Sequence, residues 1–178
     1  MNSHLPNKII FKEEQRFTQL WIIIPFLIIV LFLTFIIGYG MHRQLVQGTP
    51  FGNRPISNGT LIIVGVLMII LIWGIFFLFI DMRLTVSVCE NSLVVHFRPI
   101  FKKIIDYQQI QSCEAIQYKP IVEFGGWGIR FRKGIIAYTV SGNKVVKLYL
   151  KDGKTILIGS HQPEELAAQI INRLKNLS

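Results

Sequence analysis

Leu61 to Arg98 reads LIIVGVLMIILIWGIFFLFIDMRLTVSVCENSLVVHFR, and the chain changes character in the middle of it. The first half, Leu61 to Ile80, is twenty consecutive apolar residues. At about 1.5 Å per helical residue such a run covers a hydrocarbon core roughly 30 Å thick, which predicts a transmembrane helix over residues 60–80. From Asp81 the period is different. Thr85 to Cys89 and Leu93 to Arg98 are short runs rich in β-branched residues, split by Glu90-Asn91-Ser92, the pattern of a β-hairpin.

Upstream, Trp21 to Gly38 (WIIIPFLIIVLFLTFIIG) predicts a second span over residues 20–41, with no charge between Arg16 and His42. A cleaved leader fits poorly, because the apolar region is long, starts late and lacks a small-x-small site after it. Pro25 lies near the start of the span, where a missing backbone donor is easiest to tolerate. The two spans explain why 51% of the 178 residues are hydrophobic and only 16% charged, against about 25% in an ordinary soluble domain. Lys8, Lys12 and Arg16 precede the first span and Arg83, Arg98, Lys102 and Lys103 follow the second, whereas the loop between holds Arg43 and Arg54. That bias predicts a multi-pass cell-membrane protein with residues 1–19 cytoplasmic, 42–59 extracytoplasmic and a cytoplasmic domain at 81–178. Asn58-Gly59-Thr60 matches a glycosylation sequon but touches the start of a span, so a structural role is expected.

The last 98 residues suffice for one compact core. KKIIDY, QSCEAIQY, GIRFRKG, IAYTVSG and VVKLYLKDGKTILIG continue the strand pattern, which predicts a meander of about seven strands. Ser141-Gly142-Asn143 and Asp152-Gly153 punctuate it, the latter being the strongest hairpin signal. HQPEELAAQIINRLKNLS predicts a helix over 163–177, with Pro163 near its first position, Glu164 and Glu165 in the first turn and Lys175 near the end. Leu166, Ala167, Ile170, Ile171, Leu174 and Leu177 form its apolar face, which covers an open side of the sheet. Cys89 and Cys113 are read as buried thiols, having neither a CxxC nor a four-ligand spacing.

Val122 to Gly142, VEFGGWGIRFRKGIIAYTVSG, invites a functional reading. Its glycines lack GxGxxG spacing, no Lys-Ser or Lys-Thr follows, and the run opens a strand, whereas phosphate cradling needs a helix N-terminus. No HExxH or GxSxG occurs, and Asp106, Glu114 and Glu123 are scattered acids. Neither a catalytic residue, a cofactor nor a metal set is therefore assigned, and no enzyme activity. The glycines are expected to make a tight bend or bulge that re-aims Trp127, either to pack on the sheet or to serve at a membrane interface or recognition surface.

GGWGIR with the downstream YTVSG and the DGK…IGS…PEELA segment resembles the bacterial pleckstrin-homology-like membrane proteins, most closely over Phe124 to Ile170. That resemblance implies two transmembrane helices followed by a mainly β domain of about seven antiparallel strands, a partly open barrel with a C-terminal capping helix. It implies no catalytic residue. Eukaryotic pleckstrin homology domains hold inositol phosphates with basic residues on the first hairpin, whereas here LTVSVCENSLVVHFR carries Glu90 and Asn91 at the turn. Phosphoinositide recognition is not carried over.

Asp81 to Ser178 holds 14 Lys and Arg against 8 Asp and Glu, a net of +6. Two clusters stand out: Arg98, Lys102 and Lys103 around Pro99, and Arg130, Arg132 and Lys133 after Trp127. Either is a solvated face, a contact for anionic membrane lipids or a contact for an acidic protein partner. Nucleic acid is not expected, since RNP-like aromatics, zinc spacing and a helix-turn-helix are all missing. The leading expectation is a non-enzymatic, membrane-anchored adaptor that docks a protein partner or another copy as a homo-oligomer, with anionic-lipid sensing as the alternative. A membrane enzyme or accessory transporter subunit ranks below both, because the apolar runs contain no ionisable residue.

Overall fold

The computed structural model describes residues 8–17, 19–52 and 55–176. His4, Arg54 and Leu177 lie outside them. The chain divides into a helical unit, residues 18–80, and a β unit made of residues 1–17 and 81–178.

Two helices make the first unit, α1 (Leu20–Leu45) and α2 (Asn58–Asp81), both long and apolar enough to cross a membrane. α1 runs a turn past the expected residue 41, and His42 and Arg43 in that last turn complement its negative end. Pro25 falls inside α1, near its start. Val30 and Phe76 are buried between the helices, where Phe26 meets Phe76 and Phe79 edge-on with ring centroids 5.4 and 5.3 Å apart. The Trp73 indole N–H donates to Thr34 Oγ1 at 3.2 Å, giving a polar atom a partner in an apolar setting. Gly65 permits a close approach, since a Cβ there would sit 2.7 Å from Met41 Sδ, whereas Gly74 faces open space.

The β unit has nine strands in two sheets among the described residues, rather than one meander of about seven. Sheet one takes β1 (Ile9–Arg16), β2 (Arg83–Cys89), β3 (Ser92–Arg98) and β4 (Phe101–Asp106) in that order, all antiparallel. β1 comes from the segment expected to be an N-terminal tail. It pairs with β2 from Arg16↔Arg83 to Ile9↔Cys89, so the whole helical pair is inserted between two neighbouring strands. Long-range bonds hold it there. Gln15 Nε2 donates to the Gly159 carbonyl at 2.7 Å, while Glu13 accepts from Ser160 Oγ and from the His161 amide, both at 2.6 Å.

After a 3-10 turn at Tyr107–Gln109, the second sheet contains β5 (Ile110–Gln117), β6 (Gly128–Arg132), β7 (Ile135–Thr139), β8 (Lys144–Leu150) and β9 (Thr155–Gly159). Their spatial order is β5-β8-β9-β7-β6, with β7 and β9 parallel. The expected Asp152-Gly153 turn does join β8 to β9, with Gly153 at φ 81° and the Lys154 amide donating to Asp152 Oδ1 at 3.0 Å. The Ser141–Asn143 segment instead carries the chain past β9, so β7 and β8 are not neighbours. No barrel closure is seen among the described residues.

A short helix that the sequence reading missed, α3 (Pro120–Phe124), precedes the glycine run, and its Phe124 packs on Tyr118. The C-terminal helix α4 (Pro163–Lys175) lies against β5 and β8, burying Leu166, Ala167 and Ile170 as its pattern predicts. Full burial of each large side chain contributes about 1.5–3 kcal/mol. Cys89 is buried and Cys113 half-buried, both as free thiols.

Candidate functional site

Residues directly paired in an antiparallel sheet share a face. On the outward face of sheet one, Arg16, Arg83 and Arg98 form one cross-strand row, and Glu14, Thr85, His96 and Lys102 the next in phase with it. Lys12 and Ser87 pair in the row after that. Together Lys12, Thr85, Ser87, His96, Arg98 and Lys102 line a shallow groove of about 180 Å³, with Ile9, Cys89 and Val94 supplying apolar walls.

The charges here are unevenly matched. Glu14 lies 3.2 Å from Arg16 and 3.4 Å from Arg83, and Arg83 also holds Asp81 at 2.5 Å. Lys12, Arg98 and Lys102 have no carboxylate within ion-pair distance among the described residues. Burial lowers the His96 pKa, and the positive charges of Arg98 and Lys102 lower it further, so the imidazole is neutral at pH 7. It offers one N–H donor in that state. Burial raises the Cys89 pKa, opposed by Lys102, which leaves an unreactive thiol. Three cations outside any ion pair among the described residues, beside two hydroxyls and an imidazole, can hold an oxyanion.

The expected Arg98, Lys102 and Lys103 cluster is therefore split. Arg98 and Lys102 meet in the groove, but Lys103 is one residue out of phase and occupies the opposite face of β4, where it lines a different cavity. Lys12 and His96 were the residues missed. In the sequence Lys12 is a charge flanking a span, because IIFKEEQR, three apolar residues followed by five polar ones, lacks the alternation that would mark a strand, and His96 is one residue of a predicted strand.

The second cluster serves the glycine turn. Gly125 ends α3 in the left-handed region at φ 70°, its amide bonded to the Ile121 carbonyl at 2.9 Å, and Gly126 and Gly128 follow at φ 117° and 111°. Half-buried Trp127 donates its indole N–H to the Gly142 carbonyl at 2.8 Å. Arg130 Nε donates to the Trp127 carbonyl at 3.1 Å, and Arg132 reaches back to the Glu123 carbonyl. Lys133 at φ 43° and Gly134 at φ 78° make the two-residue turn between β6 and β7, the twist a hairpin favours. On the other face of β6, Ile129 and Phe131 join Ile100, Phe101 and Tyr138 around an apolar groove of about 380 Å³, with Phe131 74% exposed.

No protein-family model matches the chain, and searches of the curated proteins and of the solved structures found no match.

Proposed function

We propose that this chain is a non-enzymatic membrane module that reads anionic lipid headgroups through the outward face of sheet one. The observation that carries the reading is the groove of Lys12, His96, Arg98 and Lys102, in which the lysines and Arg98 have no carboxylate within ion-pair distance among the described residues. Chain connectivity supports it. Arg16 and Arg83, which share a row with Arg98, stand four residues before α1 and two after α2, so the basic face is tethered to both apolar helices. Each basic residue beside an anionic leaflet contributes about 1 kcal/mol. Pairing of β1 with β2 also supports an even number of crossings, with both flanks of the helical pair on one side, which the basic flanks assign to the cytoplasm. Membership among bacterial pleckstrin-homology-like membrane proteins belongs to the same proposal, supported by the order of two apolar helices, a strand-rich unit and a final helix.

The test uses the full-length protein in nanodiscs of phosphatidylcholine alone or mixed equally with phosphatidylglycerol. Lys12 and Lys102 should be protected from acetylation in the anionic discs only. Equal labelling in both lipids would sink the idea.

A second reading, docking of a protein partner or another copy, rests on the apolar groove around exposed Phe131, beside the free edges of β4 and β6. Cross-linking in native membranes that recovers a dimer or a stoichiometric partner, lost in Phe131→Glu, would favour it; monomers alone would count against it.

A further inference from the structure

Alternation along β4 puts Phe101, Lys103 and Ile105 on the face turned toward the core. Ile105 is 1% exposed, and the Phe101 ring lies 5.0 Å from that of Tyr138 on β7. Lys103 itself pairs with buried Val95, and Val95 with buried Val86. The polar residues that β1 places on this inward face are bonded, Glu13 at the far end of the same row to Ser160 and His161 and Gln15 to the Gly159 carbonyl, whereas Lys103 has no such partner among the described residues, and a charge turned inward calls for compensation. Among the described residues no carboxylate lies within ion-pair distance of it.

What Lys103 does face is a cavity of about 400 Å³. The glutamines of the 3-10 turn, Lys151 and Lys154 beside Asp152, and apolar Ile105 and Leu150 complete the lining. Asp152, the one acid among the described residues that line it, is already held by Lys154 Nζ at 2.8 Å, so Lys103 and Lys151 stand outside any described ion pair. The walls are tied together: the Lys151 amide donates to the Gln109 carbonyl at 2.9 Å, and the Gln108 amide to Asp106 Oδ1 at 2.9 Å. Cavities of roughly this size take small organic ligands.

We propose that this cavity binds a small phosphate monoester, with the dianion between the Lys103 and Lys151 ammonium groups and the ester's carbon body against Ile105 and Leu150. Two free positive charges match the two negative charges of a monoester, and the amide side chains supply further donors. The site is on the opposite face of sheet one from the Lys12 and Lys102 groove, so it stands or falls separately from the lipid-reading proposal.

The chemistry can come from a soluble ester or from a phosphorylated lipid, and two arms separate them. In the first, full-length protein in phosphatidylcholine nanodiscs is titrated with glycerol 3-phosphate by calorimetry. In the second, phosphatidic acid replaces part of the lipid. Protection of Lys151 from acetylation reads occupancy in both. Saturable binding of the free ester at millimolar concentration or tighter is expected. Lys103→Met should weaken it at least about tenfold while raising Tm, because an apolar side chain then replaces an unpaired charge beside buried Val95 and Ile105; Lys144→Met should bind as wild type. Protection by phosphatidic acid alone would support the site and assign its ligand to the bilayer. Wild-type affinity in Lys103→Met, or no response in either arm, would overturn the proposal.

Discussion

Two basic stretches of this chain look alike as sequence and differ as structure. Arg98 and Lys102 stand on an outward sheet face with no carboxylate within ion-pair distance among the described residues, together with Lys12 from the far end of the chain. Arg130 and Arg132 are committed to backbone carbonyls of the turn they flank. What separates them is whether the local backbone leaves unsatisfied carbonyls within reach. A short helix that ends in three left-handed glycines exposes such carbonyls, and an arginine fork satisfies them. Side chains on a sheet face stand roughly perpendicular to the plane in which the carbonyls lie, so Arg98 and Lys102 point away from the backbone and remain available to a ligand.

The contrast can be broken most sharply by charge removal. Arg98→Gln with Lys102→Gln should cost about 2 kcal/mol of attraction to anionic nanodiscs, roughly thirtyfold in headgroup occupancy, with little change in stability. Arg130→Gln with Arg132→Gln should do the reverse, lowering Tm while leaving the lipid response intact. If both pairs weaken lipid contact equally, the distinction fails. Next in size is the turn itself. Gly125→Ala forces a Cβ into φ 70° and should destabilise by about 1–2 kcal/mol, measured by thermal unfolding.

A smaller effect comes from His96, whose folded pKa is lowered from 6.5. The unfolded chain then takes up the proton first, so stability is fully present above about pH 6.5 and falls as pH drops through the lowered folded value. An anion in the groove favours the imidazolium, so its occupancy should instead rise toward acid pH. His96→Gln should flatten both profiles, and an unchanged slope would remove His96 from the groove's chemistry. Least of all, Lys133→Asn should raise stability by a few tenths of a kcal/mol, since Asn tolerates the positive φ better, with no change in lipid contact.

Local order was the legible part. Twenty apolar residues in a row yield a helix long enough for a bilayer whatever the rest of the chain does, and α2 occupies that run. The hairpin turns at Glu90-Asn91 and Asp152-Gly153 and the apolar stripe of α4 follow from residues adjacent in sequence. Even the separation of Lys102 from Lys103 is implicit in a period of two, once β4 is known to be a strand. Tertiary structure decided which strands meet. Ile9–Arg16 joins β2 across the whole helical pair, and β9 enters between β7 and β8, choices that depend on distant partners such as the bonds of Glu13 to Ser160 and His161. Alternation assigns a residue to a face, but partner choice is a free-energy comparison among remote segments, and no short window of sequence contains it. For the same reason Lys12 could be counted as a flanking charge in the sequence and be found in a groove only in the fold.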